Sequence, residues 1–291
     1  MSVTIACIGS GNMGAALMKG ATQYGGVAIG FTDTDRPKAE ALARSLGASV
    51  YASNVEAVKK ADYVFLAVKP QVLPGVLAEI APAVRDQLAA GKSAVLVSMA
   101  VGWSIGKILA ILGGAGTDIP ADHAPVASIP VVRIMPNTPA LISKGIIAMA
   151  VSREVPAAKA AELEKILSAA GIVDYLEEGY MDAVTGLSGS GPAFVYMFIE
   201  ALADGGVLAG LPRKKALRYA VQTVLGAAAM VQETGRHPGE LKDMVTSPGG
   251  TTIKGVAALE NAGFRGAVTA AVEAAYRRST ELASPIMGET V

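Results

Sequence analysis

The chain has 291 residues, of which 17% are charged and 52% hydrophobic. That length favours two domains, and so little charge against so much apolar side chain excludes a disordered chain. Lys plus Arg and Asp plus Glu both number 25, giving a formal net charge of zero, so the basic excess of a nucleic-acid binder is missing.

A membrane span needs about 20 consecutive apolar residues. The best stretch, 192–208, is interrupted by Glu200 and Asp204, so no membrane partner is expected. The start, Met1-Ser2-Val3-Thr4, runs directly into a strand pattern rather than a signal peptide. The apolar excess therefore points to surface buried in an oligomer, because obligate interfaces resemble a core cut in half. The single cysteine, Cys7, lies in an apolar run. It is expected to be buried and inert, and it suits a reducing, cytoplasmic setting. One Cys with two distant histidines, His123 and His237, leaves a structural zinc site little material, so no metal is expected.

In chain order, short apolar runs at 3–8, 27–32, 63–68, 94–97, 131–134 and 146–150 alternate with helical patterns such as 13–24 and 36–46. This alternation predicts a parallel sheet with helices on both faces. A helical stretch at 156–170 leads to one more run at 172–175. From Gly191 onward no strand pattern remains. Pro192 and Pro212 open two helices, and Gly235 closes the second. Pro238 opens a short third that must stop before Pro248, and Thr251 or Thr252 opens a fourth that ends near Gly263. A last helix covers 264–282. Proline in the first turn and glycine just past the end is the expected asymmetry. The boundary is expected near 177–179. This makes residues 1–176 an α/β Rossmann-type doubly wound domain and 177–291 an all-α domain.

Gly9-Ser10-Gly11-Asn12-Met13-Gly14 fits G-x-G-x-x-G between a strand and a helix, the context that motif requires. The first glycine permits the tight turn, the second lets the backbone approach a pyrophosphate, and the third lets the helix pack closely. Asp33 follows Gly14 by 19 residues, at the end of the second strand. An acid there accepts ribose hydroxyls and repels a 2′-phosphate, which favours NADH; Arg36 could instead pair with that phosphate and favour NADPH. Asp33 could also simply cap the following helix. Lys69-Pro70 follows a strand on the side where ligands bind in open α/β sheets.

Ser247-Pro248-Gly249-Gly250-Thr251-Thr252 places free backbone N–H groups and two hydroxyls at a helix start, a site suited to a carboxylate. Capping by Thr251 or Thr252 is an equal reading and is compatible with binding. Ser188-Gly189-Ser190-Gly191-Pro192 reads as a close-packing turn into a helix. Glu178 has nothing in its spacing that marks it as catalytic. Neither a G-x-S-x-G elbow nor a P-loop pattern is present.

Five stretches together resemble the Δ1-pyrroline-5-carboxylate reductase family along the full length: residues 8–14, 65–71 (Phe-Leu-Ala-Val-Lys-Pro-Gln), 133–139 (Arg-Ile-Met-Pro-Asn-Thr-Pro), 182–193 and 241–253. The last two in combination are specific to that family. The resemblance implies reduction of a cyclic imine to L-proline with NADPH or NADH, an N-terminal cofactor domain, and a C-terminal helical domain for dimerisation and substrate. It implies intertwined homodimers, often assembled into decamers. Ile8 through Gly14, Asp33, Asn54, Ala67, Val68, Lys69, Pro70, Met99, Ala100 and Val101 then fall to the cofactor. Glu178, Ser247, Gly249, Gly250, Thr251 and Thr252 fall to the substrate. Thr252 matches a threonine proposed to hydrogen-bond the imine nitrogen, which makes it the catalytic candidate. Met244 departs from the pattern, because some relatives carry an asparagine there that touches the cofactor. Family members often prefer NADPH, against the local reading of Asp33. A related imine or β-hydroxy acid oxidoreductase, or a non-catalytic NAD(P)H sensor, remains an alternative. Lys215 or Lys254 would be the general base of the β-hydroxy acid enzyme.

Overall fold

A computed structural model describes residues 2–113 and 128–283. Alternating strands and helices open the chain: β1 (Val3–Ile8), α1 (Asn12–Tyr24), β2 (Val27–Thr32), α2 (Arg36–Leu46), β3 (Ser49–Val50), α3 (Asn54–Lys60), β4 (Tyr63–Leu66), α4 (Leu73–Ala89), β5 (Val95–Ser98) and α5 (Ile105–Leu112). Then come β6 (Val131–Pro136), β7 (Gly145–Val151), α6 (Ala157–Ser168), β8 (Gly171–Tyr175) and the short α7 (Met181–Val184). The strands form one sheet of order β3-β2-β1-β4-β5-β6-β7-β8.

Successive side chains of a strand point to opposite faces, and here both faces are covered. Ile5 and Cys7 join Leu17, Phe31 and Phe65 on one side, while Ala6 and Ile8 join Leu66, Leu77 and Ile80 on the other. That is why these strands read as continuous apolar runs. The order reverses between β1 and β4. Such a switch point opens a crevice at the carboxyl ends of the strands.

The expected sheet was parallel throughout, but β6 and β7 run antiparallel. Only a 3₁₀ turn over Thr138–Ile142 joins them, and a parallel connection needs a crossover of a dozen or more residues. β3 was also not foreseen, because two residues carry no periodic signal.

The remaining helices are α8 (Gly191–Leu208), α9 (Arg213–Thr234), α10 (Pro238–Met244), α11 (Thr251–Asn261) and α12 (Phe264–Ala283). Gly235 closes α9 in the left-handed conformation. α8 and α9 pack through Ala203, Ala216 and Ala220, small side chains that let the helices approach closely. Large apolar residues stay outside: Met197 is 70% exposed and Leu208 90%. Residues 178–208 are long and apolar enough by composition to cross a membrane, but Glu200 and Asp204 lie on that stretch and Asp204 pairs with Arg213.

Contacts divide the chain into two compact units, 1–189 with 275–291, and 190–274. The sequence boundary at 176/177 falls earlier than this division. Met181 is buried with Ala148 and Ala150 of β7, and Asn137 Nδ2 donates to the Ser188 carbonyl at 3.1 Å. These contacts keep 177–189 with the sheet.

Candidate active site

The loop after β1 is shaped by packing at two of its glycines and left open at the third. Gly9 has φ +103°, and a Cβ there would meet the Ala67 carbonyl oxygen at 2.7 Å. At Gly14 a Cβ would meet the Gly9 carbonyl at 2.9 Å and the Cys7 sulfur at 3.1 Å. A Cβ at Gly11 would meet nothing within 4 Å. Gly11 is also the N-cap of α1 and supplies no capping side chain, so the first amides of α1 face open space. Free amides and the positive helix end suit a phosphate. The residues present therefore fit a dinucleotide pyrophosphate.

A cleft of about 490 Å³ lies at this point of the sheet, walled by Ile8, Gly9, Gly11, Ala67, Val68 and Lys69. Asp33, Thr34, Arg36, Lys38, Tyr51 and Asn54 line it as well. Half of the residues expected to meet the cofactor wall this cleft, and Asn12, Met13 and Gly14 are among those that do not. Ser10 is buried and turned toward Asp33. Pro70, Met99, Ala100 and Val101 do not wall this cleft. Their loops are joined nearby, where Trp103 Nε1 donates to the Pro70 carbonyl at 3.1 Å.

Asp33 lines this cleft. It does not cap α2; that role belongs to Asp35, whose side chain accepts from Lys38 N. Its Oδ2 accepts from Ser10 N and Ser10 Oγ, each at 2.6 Å, and its Oδ1 accepts from Asp35 N at 2.9 Å. Burial pulls its carboxyl upward, but the hydrogen bonds from Ser10 and Asp35 and the charge of Lys38 outweigh this and hold it below the usual range. Burial, with Asp33's charge second, pushes the Cys7 thiol up to about 12, so Cys7 is an inert core residue. Asn54 is held at both ends of its amide, by Thr32 Oγ1 at 2.6 Å and by Glu79 Oε2 at 2.7 Å.

Glu178 sits in a charged network under β6. Its Oε1 accepts from Ile105 N at 2.7 Å and lies 3.4 Å from Arg133 Nη1. Arg133, only 7% exposed, also reaches Asp182 at 3.8 Å, which accepts from Ser279 Oγ at 2.7 Å. The Arg133-Ile134-Met135-Pro136-Asn137 motif thus anchors the segment that follows β8.

In the helical unit, the loop before α11 turns at Gly249, φ +67°, and Gly250 N donates to the Ser247 carbonyl at 3.1 Å. Gly250, not Thr251 or Thr252, is the N-cap, and no side chain caps the helix. The two threonines occupy the first helical positions, so their hydroxyls are not spent on capping. Met244 Sδ accepts from Arg236 Nη1 at 3.2 Å. His237 caps α10 through Nδ1, 3.1 Å from Gly239 N. His123 lies outside the described residues. Sequence reading missed Thr34, Lys38, Tyr51 and Glu79 as cleft walls. Lys38 stands two residues past Arg36 and was detectable as a second cation. Tyr51 follows a strand too short to be seen.

Fold and site together define an α/β dinucleotide-binding protein with a second, helical unit. Residues 178–282 match the family model for pyrroline-5-carboxylate reductase dimerisation, and residues 4–102 match that for NADP oxidoreductase, coenzyme F420-dependent. The chain is 42% identical to pyrroline-5-carboxylate reductase of Glycine max, over 97% of this chain and 96% of that protein. It is 39% identical to that of Escherichia coli, over 97% and 99%. The Coxiella burnetii pyrroline-5-carboxylate reductase superposes with a TM-score of 0.84 at 29% identity, covering 98% of this chain and 100% of that one. The Plasmodium falciparum enzyme with NADP bound gives 0.80 at 30% identity, covering 97% and 98%. The chain belongs to the pyrroline-5-carboxylate reductase family. Its matched dimerisation segment contains the helices that leave apolar side chains exposed.

Proposed function

We propose that this chain reduces L-1-pyrroline-5-carboxylate to L-proline, the last step of proline synthesis, with NADPH or NADH as the reductant. The observation that carries this reading is the uncapped start of α1, open beyond Gly11 into the cleft, in a chain 42% identical over nearly its whole length to a pyrroline-5-carboxylate reductase.

When bound, the coenzyme supplies a hydride to the imine carbon. The chain's own part is binding, orientation and electrostatics. The α1 amides hold the pyrophosphate. The backbone N–H groups of Thr251 and Thr252 hold the substrate carboxylate, with Ser247, Gly249 and Gly250 shaping the turn. A protonated iminium is already a strong electrophile, so the protein needs no strong acid. The Thr252 hydroxyl faces the ring nitrogen and positions its proton. Glu178 keeps Oε2 for the substrate while Oε1 holds Ile105. Holding the reactants in attack geometry lowers the barrier by several kcal/mol.

The homodimer formed through 178–282 is further proposed to assemble into a decamer in the cytoplasm, with light scattering as the test of size. The function itself is tested by coenzyme oxidation on adding pyrroline-5-carboxylate. Thr252→Ala is the residue-level control, expected to lower kcat/KM roughly tenfold or more for one lost transition-state hydrogen bond. An unchanged value removes Thr252 from the mechanism.

A further inference from the structure

Arg133 is a buried charge to which imine reduction assigns no task. It lies on β6 inside the sheet's core, and a buried guanidinium is tolerated only when it is paired. Two carboxylates share it. Nη1 lies 3.4 Å from Glu178 Oε1, and Nη2 lies 3.8 Å from Asp182 Oδ1. Each acid is also held, more closely, by a different element. Ile105 N, the first amide of α5, donates to Glu178 Oε1 at 2.7 Å. Ser279 Oγ of α12 donates to Asp182 Oδ1 at 2.7 Å. The planar fork of one arginine therefore sets two acids at a fixed spacing, which the single point charge of a lysine does not do.

The two oxygens of Glu178 are unequally committed. Oε1 takes both the Ile105 amide and the arginine, while Oε2 accepts no hydrogen bond among the described residues. With one oxygen fixed by an amide and a guanidinium, the other is fixed in direction. The same tie holds the loop after β5. Trp103 of that loop donates to the Pro70 carbonyl at 3.1 Å, and at Gly102 a Cβ would come within 2.7 Å of the Leu282 carbonyl oxygen. Glu178 anchors the loop's far end at Ile105. We infer that Arg133 is a positioning residue for imine reduction: it acts through Glu178, orienting the free carboxylate oxygen for the substrate and keeping the loop after β5 in place. The inference rests on the proposed role of Glu178 at the substrate and deepens it. Arg133 itself touches no substrate.

The test is a double-mutant cycle on the whole chain, reading kcat/KM for pyrroline-5-carboxylate at saturating NADPH, well below each variant's melting temperature. Arg133→Met and Glu178→Gln should each lower kcat/KM at least about tenfold. In the Glu178→Gln background, Arg133→Met should cost less than about threefold more, because the acid through which it acts is already neutral. Arg133→Lys keeps the charge without the fork and should fall between Arg133→Met and the unmodified chain. A loss of folded protein would repeat by the same factor in both backgrounds, so the cycle separates positioning from structure. If Arg133→Met does not melt cooperatively, Arg133→Lys takes its place in the cycle, with a loss of at least about threefold expected in the parent background alone. Full activity in either single variant, or equal losses from the arginine substitution in both backgrounds, overturns the inference and leaves imine reduction standing. An unmodified chain that does not oxidise NADPH with the imine acid overturns both.

Discussion

The indole N–H of Trp103 donates to the carbonyl of Pro70 across 3.1 Å. One bond thereby ties the loop after β5 to the loop after β4, whose Lys69 walls the cofactor cleft. Trp103 is the only tryptophan in the chain, so the link carries its own optical probe. Trp103→Phe keeps the ring's apolar contacts and loses the bond, which should cost about 1 kcal/mol of stability. It should also raise KM for the coenzyme several-fold with kcat nearly retained. Urea titration and steady-state kinetics read the two effects. A kcat loss at constant KM would contradict this placement.

Gly9 and Gly11 separate packing from binding. Gly9→Ala puts a methyl 2.7 Å from a backbone oxygen at a left-handed φ, a strain of a kind that costs about 2–4 kcal/mol. Gly11 has φ −69°, which alanine adopts freely, and its surroundings are open. Gly11→Ala should change stability by less than about 1 kcal/mol while weakening coenzyme binding sharply. Thermal melting beside calorimetry distinguishes them. Equal melting losses in the two variants would count against the cradle.

Asp33 sets an acid dependence whose sign follows from its lowered carboxyl value. The fold favours the ionised form, so the contribution is complete above the unfolded value near about 4 and fades as pH falls through the folded value. Its partial exposure keeps the size small. The stability gap between the unmodified chain and Asp33→Asn should be constant at neutral pH and shrink in acid. Urea midpoints at both pH values measure this; a gap that widens in acid would reverse the assignment.

The apolar side chains left outside α8 and α9 should lie within the dimer. Leu225 is 59% exposed on α9. A charge placed there on an interface that excludes water costs several kcal/mol. Leu225→Glu should therefore shift the chain to monomer in size-exclusion chromatography with light scattering and remove activity. A variant that keeps the parent mass would place the interface elsewhere.

Much of this was legible in the residues, for physical reasons. β1 and β2 fall on the expected bounds because strands buried on both faces leave uninterrupted apolar runs. The proline starts of the helices were visible for the same kind of reason: a missing N–H costs nothing in the first turn, where that donor has no partner in the helix. What was not legible depends on partners distant in sequence. The antiparallel turn at β7 follows from a short connection, not from composition. Asp33 could be read as a cap because nothing local says that Ser10, 23 positions earlier, donates to its carboxylate. Nothing in the spacing of Glu178 marked it because Arg133 and Ile105 reach it only through the fold. Capping at Thr251 or Thr252 was one or two residues late, since Gly250 ends the turn in an extended conformation.

The central claim is imine reduction, and the most direct measurement counts product against reductant. Purified chain, pyrroline-5-carboxylate and limiting NADPH are mixed, and proline and oxidised coenzyme are quantified together. The account predicts one L-proline formed for each coenzyme consumed. Coenzyme bound with full affinity and left unoxidised in the presence of the imine acid would contradict it.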